Sequence, residues 1–147
     1  MADKSLIGRV MSHGTVEVEN GRLRFFAKAT GETSPIYTDE AAAHAAGHPA
    51  LPVPPTFLMC LNSGIGDTRA SLAILQLDLG RILHAEQAFD YRRMAYAGDT
   101  LRFETKIEDI YDKKGGALHF VVQATRVTNQ HDEHVADLRS TLVERRG

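Results

Sequence analysis

The chain has no tryptophan and a single cysteine among its 147 residues. One cysteine allows no intrachain disulfide, and no CxxC or Cys/His spacing suits a metal. Cys60 lies in the apolar run FLMCL, where a small buried hydrophobe is expected. Aromatic residues make up only 7% of the sequence, which argues against a base-stacking platform. No sign of charge dominates: 17 basic and 19 acidic residues leave a net charge of −2. The basic residues are scattered, so there is no electrostatic footprint for nucleic acid. No run approaches the roughly 20 apolar residues of a membrane span. The opening MADKSLIG lacks an apolar stretch of signal-peptide length. Together these absences lead to the expectation of a soluble protein in a reducing cytoplasm.

Proline is also absent outside residues 35–55, and within them all five occur: Pro35, Pro49, Pro52, Pro54 and Pro55. Proline fits neither a central strand nor a helix interior, so GHPALPVPP (47–55) reads as an ordered loop. Pro54 and Pro55 then suit the first turn of a helix. In the following TFLMCLNSGIG, Phe57, Leu58, Leu61 and Ile65 recur at helical spacing. The start of this helix is apolar nearly all round, as for a helix buried inside a sheet, and Gly64 or Gly66 can end it.

Two shorter helical patterns precede the prolines, RLRFFAKAT and EAAAHAAG, after a strand-like stretch at 7–18. From about residue 73 the period changes toward two. LRFETKI (101–107), LHFVVQATRV (118–127) and HVADLRSTLVE (134–144) read as strands, and AYAGDT, DKKGG and TNQHDE read as hairpin turns. At 43% hydrophobic and 24% charged, residues 1–147 suit one domain with one core. The fold class is α+β: an antiparallel meander of four or five strands wrapped around a buried central helix. Such a sheet has two edges to protect, and pairing with a second copy is one remedy.

The motif order in FFAKATGETSPIYTDEAAAHAAGHPALPVPPTF (25–57) and LHAEQAFDYRRMAYAGDTL (83–101) resembles the MaoC-like, hot-dog dehydratase and hydratase superfamily. Within it, the fatty-acid-synthase-like dehydratase branch is the nearer match; that branch includes mycobacterial hydroxyacyl-thioester dehydratase subunits. The resemblance implies a dimeric hot-dog fold. It also implies reversible hydration of a trans-2-enoyl thioester to a 3-hydroxyacyl thioester, with no metal or redox cofactor. Coenzyme A or acyl carrier protein would carry the substrate.

The hydratase motif has the form G-D-x-N-P-x-H-x-D, and its Asp and His activate one water. Gly31, Pro35 and Asp39 match it; Glu32, Ser34 and Tyr37 stand where Asp, Asn and His are expected. Removing a proton alpha to a carbonyl while protonating a leaving hydroxyl needs a carboxylate and a proton donor at one site. Glu32 can in principle replace Asp but is one methylene longer, and the phenol of Tyr37 is a poorer replacement for imidazole, because phenols, with an ordinary pKa of about 10, donate a proton but rarely accept one at neutral pH. The resemblance carries substrate contact to Pro55, Thr56 and Phe57, with the Thr56 amide polarising the thioester carbonyl. His84 is a candidate replacement base: strand alternation puts it on one face with Glu86, and Gln87 with Phe89 on the other. An exposed polar face at a subunit contact explains His84 equally well. Asp39 suits a helix N-cap. Arg92, Arg93, Lys113 and Lys114 are candidates for attracting coenzyme A phosphates. Two partner arrangements stay open: a homodimer active alone, or a heterodimer in which this chain holds the acyl tail and a MaoC-like subunit supplies the chemistry.

Overall fold

The computed structural model describes residues 2–147. Strand β1 (Val10–Glu17) leads into helix α1 (Asn20–Thr30), a 3₁₀ turn (Pro35–Tyr37) and helix α2 (Glu40–Ala45). Helices α3 (Phe57–Ser63) and α4 (Thr68–Leu75) follow the proline loop. The rest is β2 (Ile82–Tyr91), β3 (Thr100–Lys113), β4 (Leu118–Thr128) and β5 (His134–Arg145). The five strands form one antiparallel sheet in the order β1-β3-β4-β5-β2.

Only β3–β4–β5 is a meander. AYAGDT is not a hairpin turn: it carries the chain from β2 at one edge to β3 beside the other edge. Its backbone is claimed by the proline loop instead. The Val53 amide donates to the Ala95 carbonyl and the Ala97 amide to the Leu51 carbonyl, at 2.9 and 2.8 Å. The turn chemistry of Gly98-Asp99 is real, but turn residues do not say which strands they join.

Alternation along β3 turns Leu101, Phe103, Thr105 and Ile107 to the helix side of the sheet, each at most 5% exposed. Phe103, Val127, Ala136 and Leu138 pack there against Leu58 and Leu61 of α3. A second apolar cluster, Ile107, Ile110 and Val121, packs under Leu75 of α4. Full burial of each such side chain contributes about 1.5–3 kcal/mol.

Helix α3 is less enclosed than its sequence suggests. Phe57, Leu58 and Leu61 are buried, but Met59 is 38% exposed and Cys60 is half-buried. The sheet covers one side of the helix only, and the rest faces a groove toward α1. Helix α4, unanticipated from the sequence, starts where the Asp67 carboxylate accepts bonds from the Arg69 and Ala70 amides.

The edge strand β2 is interrupted by a bulge. His84 lies opposite Leu142 and Glu86 opposite Thr141, so Ala85 has no partner of its own.

Candidate functional site

The stretch GETSPIYTDE builds a turn in which Glu32 and Asp39 each accept a backbone amide two residues on. Gly31 ends α1 in the left-handed region (φ 71°), a conformation glycine adopts without steric cost. The Glu32 carboxylate accepts the Ser34 amide at 2.8 Å. Pro35 opens the 3₁₀ turn, and the Arg24 guanidinium holds the Thr38 carbonyl at 3.0 Å. Asp39 caps α2 by accepting the Ala41 amide, as expected. Glu32 is exposed.

Tyr37 is half-buried. It lines a cavity of about 260 Å³ with Val53, Pro55, Tyr91, Arg92 and Met94, and Glu32 is not part of that wall. The Tyr91 hydroxyl donates to the Pro55 carbonyl at 2.6 Å, tying the end of β2 to the start of α3. Burial, with Tyr37 nearby, pushes the Tyr91 phenol well above its ordinary range. Tyr91 is therefore a permanent donor at neutral pH. It was missed in the sequence because AFDYRRM shows it only as one apolar position of a strand.

Pro55 and Thr56 are exposed at the head of α3, whereas Phe57 is 4% exposed. The Thr56 amide has no acceptor among the described residues. Phe57 belongs to a different space: its ring lies 4.8 Å from that of Phe26, and it lines an apolar groove of about 410 Å³ between α1 and α3. Phe25, Ala29 and Cys60 complete this groove, and Phe25 is 75% exposed. The Arg22 guanidinium stands 5.6 Å from the Phe57 ring at its rim. The three substrate-contact candidates thus straddle two spaces, a Tyr-lined cavity and an apolar groove.

His84 is in neither. Six residues, one of them the bulge, separate it from Tyr91, about 20 Å along β2. The bulge also overturns the expected pairing of faces. His84 shares the helix-side face with Gln87, Phe89 and Tyr91, while Glu86 points to the opposite face. Its Nε2 is 3.0 Å from the Glu86 carbonyl and 3.2 Å from Ser140 Oγ.

Three of the four basic candidates, Arg92, Arg93 and Lys113, are engaged with acids or aromatic rings. Arg92 pairs with Asp90 at 3.0 Å and Arg93 with Glu133 at 2.6 Å. The Lys113 ammonium lies 5.1 Å from the centre of the Phe120 ring. A buried ionic cluster lies at the far end of the sheet. There His119 Nδ1 is 2.6 Å from Asp112 Oδ1, and this bond holds the Asp112 carboxyl below its ordinary range. Glu144 accepts the Asp78 amide at 2.6 Å and the Arg146 guanidinium. Burial pushes the Glu144 carboxyl up, but these donors outweigh it and leave it low. Among the described residues no three His, Cys, Asp or Glu are placed to hold a metal, and no helix is long and apolar enough to cross a membrane.

Residues 5–138 match the family described as "FAS1-like, dehydratase domain region", and the chain belongs to that family. A UPF0336 protein of Saccharopolyspora erythraea is 35% identical over 144 residues, which cover 97% of this chain and 91% of the relative. Among solved structures, the HadBC (3R-hydroxyacyl-ACP dehydratase) complex of Mycobacterium tuberculosis superimposes with TM-score 0.80 and 25% identity, covering 95% of this chain and 97% of the matched one. A MaoC-like dehydratase superimposes equally well, with TM-score 0.80 and 23% identity; 95% of this chain covers 43% of that longer one. The fold is the hot-dog fold of MaoC-like dehydratases and hydratases, as the motif order implies.

Proposed function

We propose that this chain is the acyl-binding half of an acyl-thioester hydratase or dehydratase. It pairs along β2 with a MaoC-like chain that carries an intact Asp/His motif. The assembled reaction is the reversible hydration of a trans-2-enoyl thioester to a 3-hydroxyacyl thioester. Coenzyme A or acyl carrier protein carries the substrate, and no metal or redox cofactor takes part.

The observation that carries this reading is the fate of the motif. Its carboxylate, Glu32, is exposed and accepts the Ser34 amide, and the histidine position, Tyr37, lines a cavity whose wall does not include Glu32. Without a carboxylate and a proton donor at one site, alpha-proton removal and loss of the hydroxyl cannot be coupled. The apolar groove between α1 and α3 supports a binding role, because it offers Phe25, Phe26, Ala29 and Phe57 to an alkyl chain. The likeness to a chain of a two-component dehydratase complex agrees with a paired assembly.

Activity of the chain alone is the second reading. It is favoured by Tyr37, whose phenol shares its cavity with Pro55 at the head of α3.

The test is calorimetric binding of a long-chain saturated acyl-CoA, together with an absorbance assay of trans-2-enoyl-CoA hydration, both on the isolated chain. Binding without turnover is expected. Turnover by the isolated chain would overturn the division of labour and return the chemistry to Glu32 and Tyr37.

A further inference from the structure

Strand β2 is an edge of the sheet, and a bulge and two acidic residues are its only guards. It runs for ten residues, contains neither proline nor lysine, and leaves Leu83 56% exposed beside exposed His84, Ala85 and Glu86. The Ala85 bulge re-aims one side chain on this edge. Simple alternation would put His84 opposite in face to Gln87, Phe89 and Tyr91; the extra residue turns it to their side.

The imidazole is also set in one tautomer. Its Nε2 lies 3.0 Å from the Glu86 carbonyl, which can only accept, so Nε2 carries the proton in the neutral ring. Nδ1 then presents a lone pair, and it has no partner among the described residues.

A hot-dog chain adding antiparallel to β2 must match like faces across the seam. Counting through the bulge, a two-fold or pseudo-two-fold axis on any residue of β2 does so; an axis at Gln87 keeps the whole strand paired, and one at Ala88 keeps all but Ile82 and Leu83. Either choice sets His84 opposite the partner's position equivalent to Phe89 or Tyr91. Adjacent strands lie about 4.8 Å apart, and diagonal neighbours about 7–8 Å. Position 91 is the end of the strand that borders the Tyr-lined cavity beside the motif. His84 is about 20 Å from that cavity in its own chain but would lie at or next to the cavity-lining end of β2 in a partner paired this way.

We propose that His84 works in trans: its Nδ1 accepts a hydrogen bond from the water or 3-hydroxyl held in the motif pocket of the MaoC-like partner. This rests on the pairing proposed above. His84 is a positioning residue for the substrate oxygen, while the partner's own Asp and His move the protons.

The experiment uses the complex of this chain with a MaoC-like hydratase chain carrying G-D-x-N-P-x-H, with trans-2-enoyl-CoA as substrate. Light scattering reads assembly, and steady-state kinetics over pH read activity. His84→Ala is expected to assemble normally and to lower kcat by tenfold or more with a smaller change in KM. His84→Asn, whose Oδ1 sits where Nδ1 was, is expected to recover part of the loss. An assembled His84→Ala complex with kcat within twofold of the original would overturn the role in trans and leave the pairing intact. Loss of assembly in both variants would make His84 a seam residue and also overturn it. Failure of the unaltered chains to assemble would overturn the pairing itself, and the inference with it.

Discussion

At the scale of single residues, Tyr91 joins the features that matter. Its hydroxyl bonds the Pro55 carbonyl at 2.6 Å, so the last residue of β2 fixes the first turn before α3. Tyr91→Phe removes that bond while keeping the ring. A loss of about 0.5–1.5 kcal/mol is expected, read as a lower urea midpoint at unchanged m-value. The variant should also bind long-chain acyl-CoA more weakly, because the head of α3 is freed between the two spaces. An unchanged midpoint would show that the bond is replaced by solvent at no cost. Some of this scale was legible in the sequence. Asp39 as a cap follows from local chemistry, and the departures at Glu32 and Tyr37 from the motif resemblance; Pro54 and Pro55, expected in the first turn of α3, instead lie just before its N-cap, Thr56. Tyr91 was not legible, because its partner is 36 residues away and is a backbone carbonyl without a sequence signature.

At the scale of elements, the strands of the β3–β4–β5 meander were legible because each alternates over a buried face. Three features were not. Bulges leave no mark on hydrophobic alternation, so the true face of His84 was hidden. Turn chemistry at Gly98-Asp99 marks a reversal but not that the chain crosses to a strand beside the opposite edge. Helix α4 is short and its apolar positions overlap the onset of the strand period. The seat of α4 makes a sharp test. Gly66, between α3 and α4, has φ +81°, and a Cβ there would meet the Ser12 Cβ of β1 at 2.8 Å. Gly66→Ala therefore incurs both the left-handed strain of about 1–2 kcal/mol and an overpacked contact of about 1–3 kcal/mol. Thermal unfolding is expected to shift down by several degrees. An unchanged midpoint would mean that α4 moves off β1 freely.

At the scale of the whole molecule, the sheet has a ten-residue edge strand, an apolar groove lies between α1 and α3, and Glu32 and Tyr37 stand at the Asp and His positions of the motif. These three features are explained together if the chain is one half of an assembly. The hot-dog fold and its dehydratase family follow from the motif order, and the fold comparison agrees over nearly the whole chain. The division of chemistry between chains was open in the sequence, because it depends on where Glu32 and Tyr37 point. The measurement that tests it most directly is a titration of this chain into a fixed amount of a MaoC-like chain with the intact motif, following hydration of a long-chain trans-2-enoyl-CoA. The account predicts a rate that rises with added chain and saturates at one to one, with no turnover by this chain alone. A rate indifferent to the added chain, or full activity without the partner, would contradict it.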